Sequence, residues 1–481
     1  MKKFVSPLIV FAGAFLATLL LQKNSFVLQE YEGLFLISGD YFSTMLRTSF
    51  PLSGIIGDFL TQFFRFGVYA PLIVAAGVTA AFFLTRSILK RFALDTDILP
   101  AAVSCALWIA IAFAPTARRG VAAVLILFLV WLASRLLPRR QVRKTLPFWA
   151  DLAASAVLTC GVFLFLALSG TIRERERTAS LRVAAVMSDW DRILAIATPE
   201  RAAADPDLMP YAFLALGEKG RLGDELFRYP IRSRNDFDYC ERPEDEVRYF
   251  FNTVLYETLQ CPNEAIHNYF QLATYQEHGQ SFLVLRRLLS DYYAIGNYDL
   301  ARKYAAVLSK STLHSQYVRH FTDGMAEGTP READSLAFRA AVPLITRDPL
   351  ANLILLGAGG INAPSSLDRV LCSLLLQKNL DDFQAVFDSA RDRYPAIPRH
   401  YEEALVLAGR SEGISERTLQ RYSSFQGEVL AQPGNLPQFY SDSYWYYYFS
   451  DDETPAPAKA APQPGRRQKK SGQAGHSTET S

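Results

Sequence analysis

Residues 23–67 read KNSFVLQEYEGLFLISGDYFSTMLRTSFPLSGIIGDFLTQFFRFG and contain four carboxylates, Glu30, Glu32, Asp40 and Asp58. A carboxylate held beside a lipid-linked donor can take the proton of an attacking acceptor hydroxyl. Asp40 and Glu32 are the candidates for that role. Acidic residues also occupy loops for plainer reasons. In SGDYF, Asp40 follows Ser-Gly, where a turn or helix-capping carboxylate is expected.

A second chemical candidate is SYWYYYFS at 443–450, with Phe439 and Tyr440 just before it. Tyr444, Trp445, Tyr448 and Phe449 could stack on a ligand or partner. The stronger reading is that a short helix with Trp445, Tyr448 and Phe449 at i, i+3 and i+4 plugs the open end of a helical array, with tyrosine hydroxyls left at its wet edge. His267, His278, His314, His320 and His400 are read as showing no HxxE or HExxH spacing, and no CxxC occurs, so neither a metal nor a cofactor is expected. An oxidising compartment would permit a Cys240–Cys261 disulfide. GAGG at 357–360 reads as a helix end and loop.

These residues need a framework, and apolar residues supply half of the chain. They concentrate before residue 172 in five runs, about 4–22, 68–88, 98–117, 119–137 and 152–172. A helix needs roughly 20 apolar residues to cross the hydrocarbon core, and only helix satisfies the backbone there. Five transmembrane helices are expected. Between the first two, Leu52, Ile55, Ile56, Phe59, Leu60, Phe63 and Phe64 recur at helical spacing, predicting an interfacial amphipathic helix over 52–65. Lys2, Lys3, Arg86, Lys90, Arg91, Arg135, Arg139, Arg140, Arg143 and Lys144 fall on one side if the N-terminus is cytoplasmic. Arg118, Arg119, Arg173, Arg175 and Arg177 dissent. In RERER (173–177) a solvated helix face with internal ion pairs is expected.

After residue 172 the chain turns soluble, and 173–452 is helical in pattern. In LRRLLSDYYAIGNYDLARKYAAVLSKS, Leu285, Leu288 and Tyr292 stripe one helix, Gly296 breaks it, and Tyr298 and Ala301 begin a second. That spacing resembles a tetratricopeptide repeat. Weaker copies lie at 211–230, 248–276 and 369–395. Stacked hairpins of this kind bury a shared core and offer a concave binding face. Little or no sheet is expected. The tail 453–481 is rich in Pro, Ala, Gly and Ser with a small basic patch, a disordered composition. The fold class is therefore all-α: a membrane bundle, a TPR-like solenoid and a disordered tail.

The layout as a whole resembles an uncharacterised family of polytopic membrane proteins from Bacteroidota, defined only as a domain of unknown function. LFLISGDYF, GDFLTQFFRF and SYWYYYF carry the resemblance, which would cover nearly all of 1–450. It implies a bacterial inner membrane, a periplasmic repeat domain and no assigned activity.

A net charge of +2 gives no field for nucleic acid. The expected partners are membrane lipids and a protein bound by the repeats. The expected function is an envelope interaction scaffold. The alternative is a membrane glycosyltransferase of the polyprenyl-phosphate-sugar type, using Asp40 or Glu32. A transporter is disfavoured by the lack of ionisable residues in mid-span.

Overall fold

The computed structural model describes residues 4–138, 143–144, 147–232, 235–238, 244–276, 279–327, 351, 354, 364–431, 434 and 436–450. The tail, the GAGG segment, His278 and Cys240, hence the proposed Cys240–Cys261 bridge, lie outside them. The described fold is all-α apart from one parallel two-residue pairing of Leu94–Asp95 with Arg143–Lys144. The chain divides into two compact units. One holds residues 1–196, 211–220 and 238–370, and the other 197–210, 221–237 and 371–481.

The apolar runs form α1 (Val5–Leu21), α5 (Tyr69–Arg91), α6 (Ile98–Phe113), α7 (Ala117–Ser134) and α8 (Phe148–Leu168). Three of them, α5, α7 and α8, are long and apolar enough to cross a membrane. The expected first span is one helix from Val5 to Leu21, one residue shorter than α7; at Gln22 the chain turns by 74° into α2 (Lys23–Glu32), and the bent pair makes at most a fourth span. The third run gives a helix of only 16 residues, about 24 Å long against roughly 30 Å of hydrocarbon. Its physical limit is Pro115. The residue before a proline avoids the helical region, and Ala114 sits at φ −133°, ψ 73°.

These helices share one core. Val10, Ala14, Val78, Phe82, Trp108 and Ile111 are buried in it. α1 and α8 approach so closely that a Cβ on Gly13 would stand 2.3 Å from the Thr159 methyl. Helix α9 (Gly170–Val186) then locks the ends of its neighbours. Arg175 donates to the carbonyls of Phe113 (2.7 Å) and Ala112 (3.3 Å), and Gln22 donates to Ala112 as well (2.7 Å). These are last-turn carbonyls of α6 that lack intrahelical partners. Glu176 accepts from the backbone amides of Asn24 (2.7 Å) and Ser25 (2.9 Å) and from both their side chains, capping α2. Within RERER, the Glu174–Arg177 pair (2.7 Å) is the solvated one. Arg175 and Glu176 join separate helices.

The segment between α1 and α5 is folded. It forms α3 (Gly39–Leu46), α4 (Pro51–Thr61) and a short 3₁₀ turn over 62–65. α4 turns a small face to the protein, with Gly54, Gly57, Asp58 and Thr61 buried and Leu52 exposed. A Cβ at Gly57 would lie 2.8 Å from the Arg118 backbone, so only glycine allows this approach to α7.

In the same unit, hairpins form from Glu246–Thr258 with Pro262–Ala273 and from Phe282–Ala294 with Tyr298–Leu308, followed by Ser315–Glu327. Leu285, Leu288 and Ala301 are buried between them. Gly296 turns the second hairpin at φ +76°. Tyr292 stacks on Tyr304 with centroids 5.6 Å apart, and Tyr298 sits 5.7 Å from Tyr293. The membrane-proximal segment docks on this hairpin. The Phe282 amide donates to the Gly33 carbonyl (2.9 Å), the Ile37 amide to the Lys310 carbonyl (2.8 Å), and Ser311 and Thr312 donate to the Gln62 carboxamide (3.0 and 2.8 Å).

Replacing Glu176 with Ala should remove the α2 cap and cost about 1–2 kcal/mol. Thermal melting of the full-length protein checks this, with Glu174→Ala, which breaks a solvated pair, near zero.

Candidate functional site

The four carboxylates of the 23–67 segment have separate fates. Glu30 is fully buried, 3.1 Å from the His314 imidazole and 3.8 Å from Arg286. His314 stacks on Phe282 with centroids 4.1 Å apart. Burial pushes the His314 pKa down and outweighs the pull of Glu30, so the ring is neutral at pH 7. Asp58 accepts two hydrogen bonds from Arg118, each 2.7 Å, and one from the Tyr41 hydroxyl at 2.6 Å. Glu32 ends α2, half-exposed, 3.6 Å from Arg182, whose closer partner is Glu246 at 2.7 Å. Asp40 lies exposed in the first turn of α3, whose cap is the Ser38 hydroxyl. Neither candidate base lines the cavity described below.

A cavity lined by charged side chains belongs to the other unit. It holds about 820 Å³ and is lined by Arg391, Arg399, Arg417 and Arg421 together with Asp224, Glu402, Glu403 and Asp442. Its centre is Glu403, on the Arg399–Leu407 helix and 1% exposed. One oxygen takes Arg399 Nε (3.0 Å) and Arg421 Nη1 (3.3 Å). The other takes the Tyr444 amide (2.7 Å) and pairs with His400 Nδ1 (2.9 Å). Asp442 bridges the same arginines, at 3.3 Å from Arg399 and 2.8 Å from Arg421. Burial alone would raise both acids. The surrounding cations, with the Tyr444 amide at Glu403, hold both below the usual carboxylate range.

The aromatic run builds this floor. Ser443 caps a helix over Tyr444–Phe449, accepting from the Tyr446 amide at 3.2 Å. Trp445 is fully buried between Tyr422 and Phe425 and donates its indole N–H to the Glu403 carbonyl at 2.8 Å. Tyr447 donates to the Leu376 carbonyl at 2.8 Å. The inward residues are Tyr444 and Trp445. Tyr448 is half-buried, and Phe449 is exposed while stacking on Phe425. Tyr444 does not keep its hydroxyl at a wet edge: the group is buried without a hydrogen-bond partner among the described residues. Burial raises its pKa strongly.

The other lining groups divide into committed and available. Glu402 accepts from the Ser415 amide (2.9 Å) and from the Ser415 (2.6 Å) and Thr418 hydroxyls, tying down the start of the Glu416–Ala431 helix. Asp224 accepts the Arg399 amide at 2.7 Å. Arg391 donates to the Tyr394 carbonyl. Arg391 and Arg417 have no carboxylate partner among the described residues. The cavity thus offers two guanidinium groups without a carboxylate partner among the described residues, above an internally neutralised floor, an arrangement that receives carboxylate or phosphate. Among the described residues no set of three His, Cys, Asp or Glu side chains converges as a metal site.

The sequence profile of a family of unknown function, DUF6057, matches residues 1–187 and 172–451. The chain belongs to that family. No curated protein and no solved structure matches it. For this DUF6057 chain the site must therefore be read from its own residues. The cavity is absent from the sequence-level expectations, because its lining comes from four separated segments, Asp224, 391–403, 413–421 and Asp442. The reading of no HxxE spacing is corrected here: His400 and Glu403 stand at i,i+3 in HYEE, a spacing that puts them on one helix face, and they pair at 2.9 Å.

Both depressed carboxyls titrate near 4 in an unfolded chain and lower in the folded unit. Their stabilisation is complete above about pH 5 and is lost as pH falls through the folded values. Denaturant melts at pH 6 and pH 3 should show less acid sensitivity in Asp442→Asn than in the parent. An unchanged difference contradicts the assignment. Glu403→Ala should cost about 2–4 kcal/mol at neutral pH, since it strands two half-buried arginines.

Proposed function

We propose that this protein is a non-enzymatic scaffold of a bacterial inner membrane, whose helical region docks a protein partner in the cell envelope. The partner presents a carboxylate-rich segment to the charged cavity. The observation that carries this reading is the pair Arg391 and Arg417, which line the cavity without a carboxylate partner among the described residues, beside two arginines paired with Glu403 and Asp442. The hairpins of 246–308 support it, being similar in spacing to tetratricopeptide repeats, which hold peptides. The N-terminus is cytoplasmic and the helical region periplasmic, in a protein of Bacteroidota type. Two arginines that dissent from this orientation have local duties, Arg118 on Asp58 and Arg175 on the end of α6. Membrane lipids surround the bundle, and no cofactor is needed.

The glycosyltransferase alternative has less support. Glu30 and Asp58 are committed to His314 and Arg118, Glu32 faces Arg182, and Asp40 is exposed on a surface helix.

A photo-reactive amino acid at Ile414, in the full-length protein in its own membrane, tests the reading. A partner adduct of discrete mass is expected, weakened roughly tenfold by combined Arg391→Glu and Arg417→Glu. An adduct indifferent to both reversals, or no adduct, overturns it.

A further inference from the structure

The seam between the membrane-proximal segment and the hairpin of 282–308 encloses one titratable ring, and both sides of it belong to the same unit. His314 and Glu30 are each 0% exposed, and Nε2 of the imidazole stands 3.1 Å from a Glu30 oxygen. Phe282 covers one face of the ring, with centroids 4.1 Å apart. The bonds that close the seam flank this pair. Phe282 donates to Gly33 on one side, and Ser311 and Thr312 donate to Gln62 on the other.

The neighbours of the ring decide which charge it can carry. On α2 it meets Glu30, while Glu32 is turned to Arg182. On the helix Phe282–Ala294, Arg286 lies 3.8 Å from Glu30 and over the rings of Tyr31 (5.5 Å) and Tyr317 (5.9 Å). Arg287 on the same helix is turned to Glu257 at 3.3 Å. Arg65, in the 3₁₀ turn after α4, opposes protonation of His314 as Arg286 does. Lys310 is exposed and lends the seam its carbonyl. The carboxylate that faces the ring is thus already balanced by a guanidinium, and a proton on His314 would add a cation in excess.

Hydrogen bonding points the same way. An imidazolium carries two N–H donors, and a neutral imidazole carries one. Nε2 faces Glu30. Nδ1 is buried and has no partner among the described residues. The neutral ring needs no acceptor at Nδ1, whereas the charged ring would hold an unpaired donor there, away from water. Burial accordingly keeps the His314 pKa below its ordinary value.

We infer that Glu30 and His314 form a proton-operated latch, which holds the membrane-proximal segment on the hairpin while the ring is neutral and releases it on acidification. Once the seam parts, water reaches both ring nitrogens and the Phe282 side chain is uncovered. The open seam takes the proton more readily than the closed one. Closure is therefore complete above about pH 6.5, the ordinary histidine value, and is lost as pH falls through the lower value of the closed form. The latch rests neither on the charged cavity nor on the scaffold reading.

Hydrogen exchange of the full-length protein in nanodiscs, read by mass spectrometry at pH 7.5 and pH 5.5, tests the latch. Rates are divided by the intrinsic rate at each pH, so that opening alone is compared. Peptides holding the Ile37 and Phe282 amides should lose protection at pH 5.5, by up to about tenfold for one proton. His314→Phe keeps a ring against Phe282 and takes no proton, so its protection should not fall. His314→Gln, neutral and still able to donate to Glu30, should hold in the same way and serves if the first variant folds poorly. Protection that is unchanged or higher at pH 5.5 in the parent overturns the latch, because the ring then gains an ion pair with Glu30. A loss that persists in both variants also overturns it, because another group is then responsible.

Discussion

Helix ends that meet a membrane boundary have no water on one side and no partner within the helix, so something else must bind their exposed amides and carbonyls. Here that duty falls to two consecutive residues of α9. Arg175 closes the C-terminus of α6, and Glu176 closes the N-terminus of α2. Gln22 closes α6 from the other side, at the corner where α1 bends into α2. The 74° turn of the chain at that corner depends on those bonds. The docking of the 23–67 segment depends in turn on where α2 is held.

Carboxylates play one recurrent part in both units. Asp58, Glu176 and Glu403 each accept hydrogen bonds from at least two groups distant in sequence. A buried carboxylate without such partners would lose several kcal/mol to desolvation. With them it becomes a directional joint, because its lone pairs are filled by donors from fixed elements. The aromatic run works through the same device. Tyr444 and Trp445 contribute apolar bulk, and their N–H groups grip Glu403 from both its side chain and its backbone.

Local patterns were readable where a single helix carried the information. The apolar runs predict helices, and α5, α7 and α8 follow. The stripe Leu285, Leu288, Tyr292 and the turn at Gly296 appear as a hairpin. Pro115, visible in the sequence, shortens α6, but hydropathy windows run across it. What sequence could not show was partnership across distance. RERER looks like a solvated face, because nothing local says that Arg175 meets Phe113 or that Glu176 meets Ser25. The same holds for the 23–67 acids, which look available one by one and differ only through His314, Arg118 and Arg182. The charged cavity is the extreme case, since its lining spans Asp224 to Asp442.

The seam between Gly33–Gln62 and Phe282–Thr312 bears on how this molecule can be divided. A fragment beginning after the last membrane helix would keep Phe282 and His314 but lose Glu30, Gln62 and the Gly33 carbonyl that cover them. An aromatic ring and a neutral imidazole, both fully enclosed in the intact chain, would then face water. In evolutionary terms the membrane-proximal segment and the hairpin at 282–308 are bound to change together, and neither can be exchanged for a foreign module without rebuilding the other.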